Sequence, residues 1–426
     1  MRLVFAAVLA ITWAGRAWAQ QPQLEVTLSE AIERSLQVQP DMIQARGEQR
    51  NAGASKRSAY GAFIPDVTVG MSSTRRNNPG INRETGRPEP PTSYSGSLNA
   101  SLDLFDGFRR FADVKAASAA GTAAEAGMVN QRFQTTLQTK QVFYNAIATE
   151  ALVRVADAQV TRARQQLQIS IEKLHAGSAT RSDSLRSTVE YGNARIALLQ
   201  AQANLATAQA ELGRQIGVDG LVRAAWDSIL PAMPDTGELR RTAVSAFPAV
   251  EQAEAQARAA RARVWGARSE YWPSLTVSYS DVRSGTESPT LLFTKYDETF
   301  QWRFGISLPL LNGFTREANQ VSASVNRDLA EARASETRRQ VNALVTQQIA
   351  VLTTAFEQIN IADENRAAAQ EDLRVQGERY RVGAATILDL LISQAALTTA
   401  EVNVIQTRFS YLIARSQLEA TVGRTL

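Results

Sequence analysis

The sequence predicts a mixed α+β fold that is internally duplicated, with two antiparallel strands and long helices in each copy. Three observations carry this prediction: a repeat with a period of about 207 residues, paired segments of alternating apolar and polar residues, and very long helical patterns behind them. Gly177 returns as Gly383 and Asp183 returns as Asp389, both at an offset of 206 positions. One chain therefore contains two copies of the same structural unit.

The N-terminus has the pattern of a secretory signal peptide over residues 1–19. Arg2 supplies a positive charge, a short apolar stretch follows, and Ala17 to Ala19 form a small-x-small cleavage site, which predicts a mature chain beginning at Gln20. The apolar stretch is too short to span a membrane as a helix, and no later segment offers about 18 uninterrupted apolar residues.

The first element of the mature chain is predicted to be helical, over most of 26–59. Thr27 is the expected N-cap, and Glu30 stands three residues later, where a capping box requires an acidic or amide side chain. Period-two alternation then predicts a β-hairpin at 62–105, and the same pattern returns at 271–310.

The last strand of the second hairpin has one wholly apolar side. Its residues are Phe300, Trp302, Phe304 and Ile306, and they alternate with Gln301, Arg303, Gly305 and Ser307. A half-buried strand in a soluble sandwich would explain one such pattern. Two hairpins with strands about 9–11 residues long, behind a signal peptide, favour an outer-membrane barrel instead. The aromatic side would face lipid, and the polar side would face water.

Each hairpin leads into a long helix, predicted at 107–175 and at 313–382, where no proline interrupts the chain. A helix of about 70 residues spans roughly 100 Å. Apolar residues recur three, four or seven positions apart, which is the spacing of a coiled coil rather than of a membrane span.

Short turns at Gly177 and Gly383 are predicted to reverse the chain into return helices at 182–216 and 387–422. Residues 217–237 contain two prolines and read as a connector. The sequence therefore predicts two structural repeats, 20–216 and 238–426.

Composition argues against an enzyme. The chain has no cysteine and one histidine, His175, which is expected in the last turn of a helix. Common zinc sites and Ser-His-Asp arrangements are therefore excluded within one chain, and no glycine-rich phosphate loop follows a strand. The carboxylate pairs Asp363-Glu364 and Glu371-Asp372 are typical of a solvated helix face rather than of a hydrolase. We expect no catalytic residue, no cofactor and no metal.

The charge pattern gives little support to a nucleic-acid partner, since the net charge is +4 and no dense Lys/Arg run appears. The number of strands says more about partners. Membrane barrels start at about eight strands, and unpaired strand edges in lipid cost several kcal/mol per polar group. Four strands therefore require oligomerisation, and on this argument alone two or three chains would serve.

The chain resembles the TolC-like outer-membrane efflux protein family over nearly all of its mature length. The resemblance is carried by the duplication, by Tyr271–Pro273, by the strand-to-helix junctions Leu104–Gly107 and Leu310–Gly313, and above all by Arg379–Leu390. It implies a homotrimer with a 12-stranded barrel in the outer membrane and a 12-helix tunnel through the periplasm. It also implies passive export of drugs, toxins or proteins.

The same resemblance implies the partners. They are a periplasmic adaptor docked at the tips around Gly177 and Gly383, an inner-membrane transporter of RND, ABC or MFS type, and outer-membrane lipid. The lack of a lipidation cysteine favours a general or type I secretion role, because many drug-efflux members carry one. The alternative is a non-conducting periplasmic or surface coiled-coil adaptor, which would not need the alternating hairpins.

The resemblance also implies a gate at the periplasmic aperture. Asp389 matches the family's aperture aspartate, whereas the position of a second aspartate is Ile392. A ring of carboxylates around a symmetry axis repels anions and attracts cations. N-terminal helix capping is the competing explanation of Asp389.

Tyr380 matches a tyrosine that holds the family's closed state, and Ser182 with Asp183 matches its polar acceptors on the neighbouring hairpin. The family also uses an arginine, but Ala385 occupies its place here. Arg181, on the other tip, is the candidate replacement.

Overall fold

The computed structural model describes residues 24–78, 80–81, 86, 88–225, 230–235, 237, 247–286 and 296–426. The predicted signal peptide lies outside the described residues, as do parts of the connector. The elements, in chain order, are β1 (Leu24–Val26), α1 (Leu28–Val38), α2 (Pro40–Gly61), β2 (Asp66–Arg75), β3 (Thr92–Asp106), α3 (Arg109–His175), α4 (Arg181–Ile216), β4 (Val222–Ala224), α5 (Pro248–Arg268), β5 (Ser274–Gly285), β6 (Asp297–Ser307), α6 (Thr315–Arg381) and α7 (Ile387–Val422).

The duplication appears in the lengths of the helices. Both α3 and α6 have 67 residues, and both α4 and α7 have 36. Long helices and an antiparallel sheet occur together in one duplicated chain, so the predicted fold class is confirmed. The chain divides into two compact units.

The sheet belongs to the unit made of Pro40–Thr135, Met233–Thr353 and Ala414–Leu426. Its four strands are antiparallel in the order β2-β3-β5-β6, and each copy of the repeat contributes one hairpin. β3 and β5 join the two copies, with a register shift between Asp103 and Phe105. Within the described residues, β2 and β6 each pair on one side only, so the sheet has two open edges.

The two faces of the sheet differ in chemistry. On one face Tyr279 lies opposite Trp302, with 4.8 Å between their ring centroids. The other face, which includes Asp66, Thr276 and Ser307, borders an open cavity of about 1140 Å³. The alternation of the sequence therefore becomes one apolar face and one polar, hydrated face.

The other unit is made of the residues up to Gln39, Thr136–Ala232 and Thr354–Ile413. Here the sequence prediction is wrong in one respect. Val26, expected in a helix, ends strand β1, which pairs in parallel with β4, a strand inside the predicted connector. Three-residue strands are too short to show any periodicity, so only the tertiary structure reveals this pair.

Helix α1 begins where predicted, because the Thr27 side chain accepts a hydrogen bond from the backbone N–H of Glu30. The Glu30 carboxylate instead pairs with Arg34 at 2.7 Å. Beneath this helix a buried polar chain links three elements. The Thr139 hydroxyl donates to Ser35 at 2.8 Å, and the Gln215 amide donates to Thr139 at 3.1 Å. Buried hydrogen bonds of this kind fix the relative positions of packed helices.

One helix among the described residues, α7, is long and apolar enough to cross a membrane by length and composition, with a mean hydropathy of 1.2 in its most apolar window. Its buried residues nevertheless follow a strict heptad through Leu390, Leu397, Val404 and Tyr411. This pattern is that of a coiled-coil seam.

Candidate functional site

The helical tips have the same backbone geometry in both copies. Gly177 and Gly383 have φ of 70° and 82°, in the left-handed region that glycine adopts without strain. The N–H of Ser178 donates to the carbonyl of Lys173, and that of Ala384 donates to Arg379. These are the long bonds of a Schellman motif, which ends a helix and reverses the chain.

A capping box follows each turn. The Asp183 carboxylate accepts hydrogen bonds from the backbone N–H and the hydroxyl of Thr180, at 3.0 and 2.8 Å. Asp389 accepts the same bonds from Thr386, at 2.9 and 2.7 Å. The capping explanation of Asp389 is therefore realised in the structure, and Asp183 has the same role.

Capping also sets the charge of these two side chains. Hydrogen bonds from the backbone and hydroxyl of Thr386 hold the pKa of Asp389 below its ordinary value, and Thr180 does the same for Asp183. Both carboxylates are therefore ionised at neutral pH. Capping and an aperture charge are compatible, since one carboxylate oxygen takes the bonds and the charge remains.

A lysine connects the two tips within one chain. The Nζ of Lys173, on α3, donates to the backbone carbonyl of Tyr380, on α6, and lies 4.2 Å from the centroid of the Tyr380 ring. A cation over a partly desolvated ring adds a further attraction. This contact joins the helical hairpin of the first repeat to that of the second, at the level of the expected gate.

The Tyr380 side chain is buried against Ile387 and Leu390. Within the described part of one chain its hydroxyl is buried and has no hydrogen-bond partner. The contact expected from Tyr380 to Ser182 or Asp183 is thus not formed inside the chain. A buried unpaired hydroxyl is costly, which is consistent with an acceptor outside the chain.

Arg181 and Ser182 are exposed in the first turn of α4. Among the described residues Arg181 forms no ion pair, so the structure gives it no latch within the chain. Arg379 instead donates to the carbonyl of Ala384 at 3.3 Å and closes its own turn. Sequence reasoning missed Lys173 and Arg379, although both are cations in the last turn of a long helix at the 206-residue offset.

Three of the four carboxylates in the pairs Asp363-Glu364 and Glu371-Asp372 have structural partners. Arg408 donates to Asp363 at 3.1 Å, Arg374 pairs with Glu371 at 2.7 Å, and the Ser393 hydroxyl donates to Asp372 at 2.5 Å. These contacts join neighbouring helices or turns. The described residues contain no group of three or more His, Cys, Asp or Glu side chains that could hold a metal ion.

The apolar side of β6 is strongly exposed in the chain. Phe300 is 63% exposed, Trp302 62%, Phe304 72% and Ile306 80%. Four consecutive outward residues of this kind form a patch that water does not favour, and such patches mark contact with a partner or a membrane.

Comparisons with known proteins agree with this geometry. The family model for outer membrane efflux proteins matches residues 31–218 and 239–424, so it matches each copy of the repeat. The probable efflux pump outer membrane protein TtgC of Pseudomonas putida is 23% identical, over 85% of this chain and 75% of its own length. The outer membrane efflux protein BepC of Brucella suis is 22% identical, over 99% of this chain and 90% of its own length.

The fold has a solved counterpart in the outer membrane protein VceC of Vibrio cholerae. The two structures superpose with a TM-score of 0.79 at 19% identity, over 93% of this chain and 96% of VceC. The family match spans most of the chain, and the fold is shared with VceC. The chain therefore belongs to the outer membrane efflux protein family and resides in the outer membrane.

Proposed function

We propose that three copies of this chain form a channel through which substrates leave the cell passively. The observation that carries the proposal is the four-stranded sheet, with an exposed apolar face, a polar face and two open edges. Pairing β6 of one copy with β2 of the next removes both edges, and three copies give a closed sheet of twelve strands. Closure satisfies the edge N–H and C=O groups, which lipid cannot do.

In this channel the patch Phe300, Trp302, Phe304 and Ile306 contacts outer-membrane lipid, while the polar face surrounds water. Two copies would give eight strands, which is the smallest membrane barrel and is filled by side chains. An export route needs a wider lumen. The channel itself carries out no catalysis.

We further propose that the tips around Gly177 and Gly383 dock a periplasmic adaptor, which joins the channel to an inner-membrane transporter of RND, ABC or MFS type. Support comes from exposed apolar side chains at the tips, with Val382 73% and Leu388 52% exposed. TtgC and BepC are described as efflux proteins, and a further relative, OpmQ of Pseudomonas aeruginosa, as a pyoverdine export protein.

The aperture is proposed to lie beside the tips. Asp389 supplies a ring of three negative charges, and Tyr380 finds its acceptor among Ser182, Asp183 or other polar groups of a neighbouring chain. Lys173 holds the two tips of each chain together, and Arg181 is the remaining candidate for a latch between chains. The absence of a second aspartate at Ile392 makes the ring less charged than in the wider family.

The proposal is tested by membrane extraction and bilayer conductance of the purified full-length protein. We expect it to remain in outer membranes after carbonate washing and to form cation-selective channels in planar bilayers. A protein that carbonate releases, and that conducts nothing, would instead be the coiled-coil adaptor considered from the sequence.

A further inference from the structure

A second surface of the sheet-containing unit has a chemistry that the channel proposal does not use. It is a stripe on α5 of exposed basic and aromatic side chains, Arg258, Arg261, Trp265 and Arg268, spaced three, four and three residues apart. Such spacing puts all four on one helix face. Trp265 is 68% exposed, and the guanidinium of Arg268 lies 5.5 Å from the centroid of its ring.

The stripe lies between two other helices of the same chain. One cavity beside Trp265, of about 470 Å³, is lined by Lys115 of α3 together with Arg258 and Arg261. A second cavity, of about 300 Å³, is lined by Arg268 of α5 and Arg327 of α6. Helices α3 and α6 flank Trp265 on its two sides. This face of α5 is therefore not at an edge of the unit, where a second copy of the chain would join.

The stripe is on the same side as the apolar face of the sheet, as a chain of contacts demonstrates. Phe105 pairs in register with Leu275, on the apolar face, and its ring lies 5.3 Å from that of Phe108. Phe108 in turn lies 6.2 Å from Phe111. Lys115 follows Phe111 by four residues and therefore shares its helix face.

The opposite side of the same helices faces the polar cavity. Arg109 and Asp113 of α3 line the cavity that borders the polar face of the sheet. On α5, the exposed Arg263 lines a separate cavity with Asn319 and Asn326. The helices thus have two exposed faces, and the stripe is on the outer one.

The outer face carries positive charge that is not neutralised nearby. Arg261 pairs with Glu331 at 2.5 Å and Arg327 with Asp328 at 2.6 Å. Lys115, Arg258 and Arg268 form no ion pair within the described residues. An anionic partner could therefore bind the unpaired Lys115, Arg258 and Arg268 beside the exposed indole of Trp265.

The other copy of the repeat has a matching stripe. At the 208-residue offset that relates Pro65 to Pro273, the counterparts of Arg258, Trp265 and Arg268 are Arg50, Arg57 and Tyr60. All three counterparts are exposed, Tyr60 by 55%. Basic and aromatic residues exchange places, and Gly53 stands in the place of Arg261, so the second stripe has two arginines and one aromatic residue.

The distance of the stripe residues from the sheet indicates what kind of partner binds them. Lys115 lies six residues into α3, and Trp265 and Arg268 lie in the last four residues of α5, so these three are within about 10 Å of the strands along their helices, whereas Arg258 lies about 15 Å before the end of α5. Lipid headgroups occupy roughly 5–7 Å beyond the hydrocarbon on each side of a bilayer. Long side chains at this depth meet headgroups, where Trp, Tyr, Lys and Arg are the favoured residues.

We infer that the ends of the two stripes nearest the sheet, Lys115, Trp265 and Arg268 together with Arg57 and Tyr60, bind anionic phospholipid headgroups in the periplasmic leaflet of the outer membrane. The cations contact headgroup phosphates, and Trp265 and Tyr60 lie at the level of the ester region. This contact fixes the depth at which the helices leave the membrane. The inference rests on the barrel proposed above, because only an inserted sheet brings the stripes to the bilayer.

The first experiment compares two arginines of the same helix. The full-length protein is extracted with dioleoylphosphatidylglycerol, and retained lipid is counted by native mass spectrometry. Arg268→Gln should weaken retention roughly fivefold, as expected for one positive charge near an anionic surface, whereas Arg263→Gln on the opposite face should retain lipid normally. Equal retention by the two variants would overturn the inference.

The second experiment uses the absence of cysteine in the chain, which permits unambiguous single labels. A fluorophore at Lys115→Cys should be quenched by nitroxide placed on the headgroups of phosphatidylglycerol-containing vesicles, and one at Asp113→Cys should not. A label at Phe300→Cys, read in separate vesicles that carry the nitroxide on the lipid acyl chains, reports insertion of the strand into the hydrocarbon. Quenching at Phe300→Cys without quenching at Lys115→Cys would overturn the headgroup inference but not the barrel. The same result is expected if another protein, rather than lipid, covers the outer face of the helices. Loss of quenching at Phe300→Cys would overturn the barrel itself.

Discussion

Two aspartates in equivalent capping boxes are the residues on which the gate proposal depends most. Asp183 and Asp389 accept the same hydrogen bonds from a threonine three residues earlier. The two side chains should therefore contribute equally to the stability of their helix ends. The functional difference that the gate proposal requires of them must come from their positions around the proposed aperture. The repeat in the sequence pairs these two positions, and their identical hydrogen bonds make them a matched pair of variants.

Asp389→Asn should reduce the cation selectivity of the channel, because it removes three negative charges from the ring while the asparagine side-chain oxygen can still accept the capping-box bonds from Thr386. Asp183→Asn makes the same chemical change at the other tip and should alter selectivity less. Reversal potentials in a KCl gradient measure both. Equal effects, or none, would assign Asp389 to capping only.

The lowered pKa of Asp389 sets the pH dependence of that selectivity. A carboxylate whose folded-state pKa is depressed contributes stability above its unfolded pKa, and loses it as pH falls through the folded value. The negative charge of Asp389 and its hydrogen bonds from Thr386 should therefore both persist from neutral pH down to the ordinary aspartate range near pH 4. Selectivity measured between about pH 7 and pH 5 should be constant, and a decline within that window would contradict the assignment.

Lys173 gives a third test at this scale. Lys173→Met removes the bond to the Tyr380 carbonyl and should raise the resting conductance, because the two tips of each chain lose their connection. Arg379→Met removes a bond within the second tip and a cation that helps to lower the pKa of Asp389, but no bond between the two tips, and it should have a smaller effect on resting conductance. Tyr380→Phe should also raise the conductance if its hydroxyl bonds a neighbouring chain. A resting conductance that Lys173→Met leaves unchanged would remove the lysine from the gate.

The helical tips are the elements in which a single substitution should affect function most. Gly383→Val forces a β-branched residue into a positive-φ position and should distort the tip and lower export while the protein still inserts in the membrane. Gly377→Val is the control, since a Cβ at either glycine meets open space and only Gly383 has a positive φ. Export and outer-membrane yield are measured together. Normal export by Gly383→Val would show that the tip geometry is not used for docking.

How far the sequence predicts these elements depends on their length. The alternation around Trp302 and the proline-free run before Gly383 identify a strand and a 67-residue helix, because each pattern repeats many times. The parallel pair of Val26 and Ala224 cannot be found this way, because three residues carry no period. The contact of Lys173 with Tyr380 is also invisible, since it joins residues 207 positions apart.

For the whole molecule, the central claim is that one chain is a third of a closed barrel. A single chain leaves β2 and β6 unpaired on their outer sides and exposes the apolar patch of β6 to water. Duplication within the chain halves the number of copies that closure requires, but it does not complete the barrel.

The most direct test is native mass spectrometry of the protein released from detergent after extraction from outer membranes. The account predicts particles of three chains, each beginning at Gln20 after removal of the signal peptide. A stable monomer that retains its membrane-inserted sheet would contradict the account, since four strands with open edges would then be satisfied in lipid without closure.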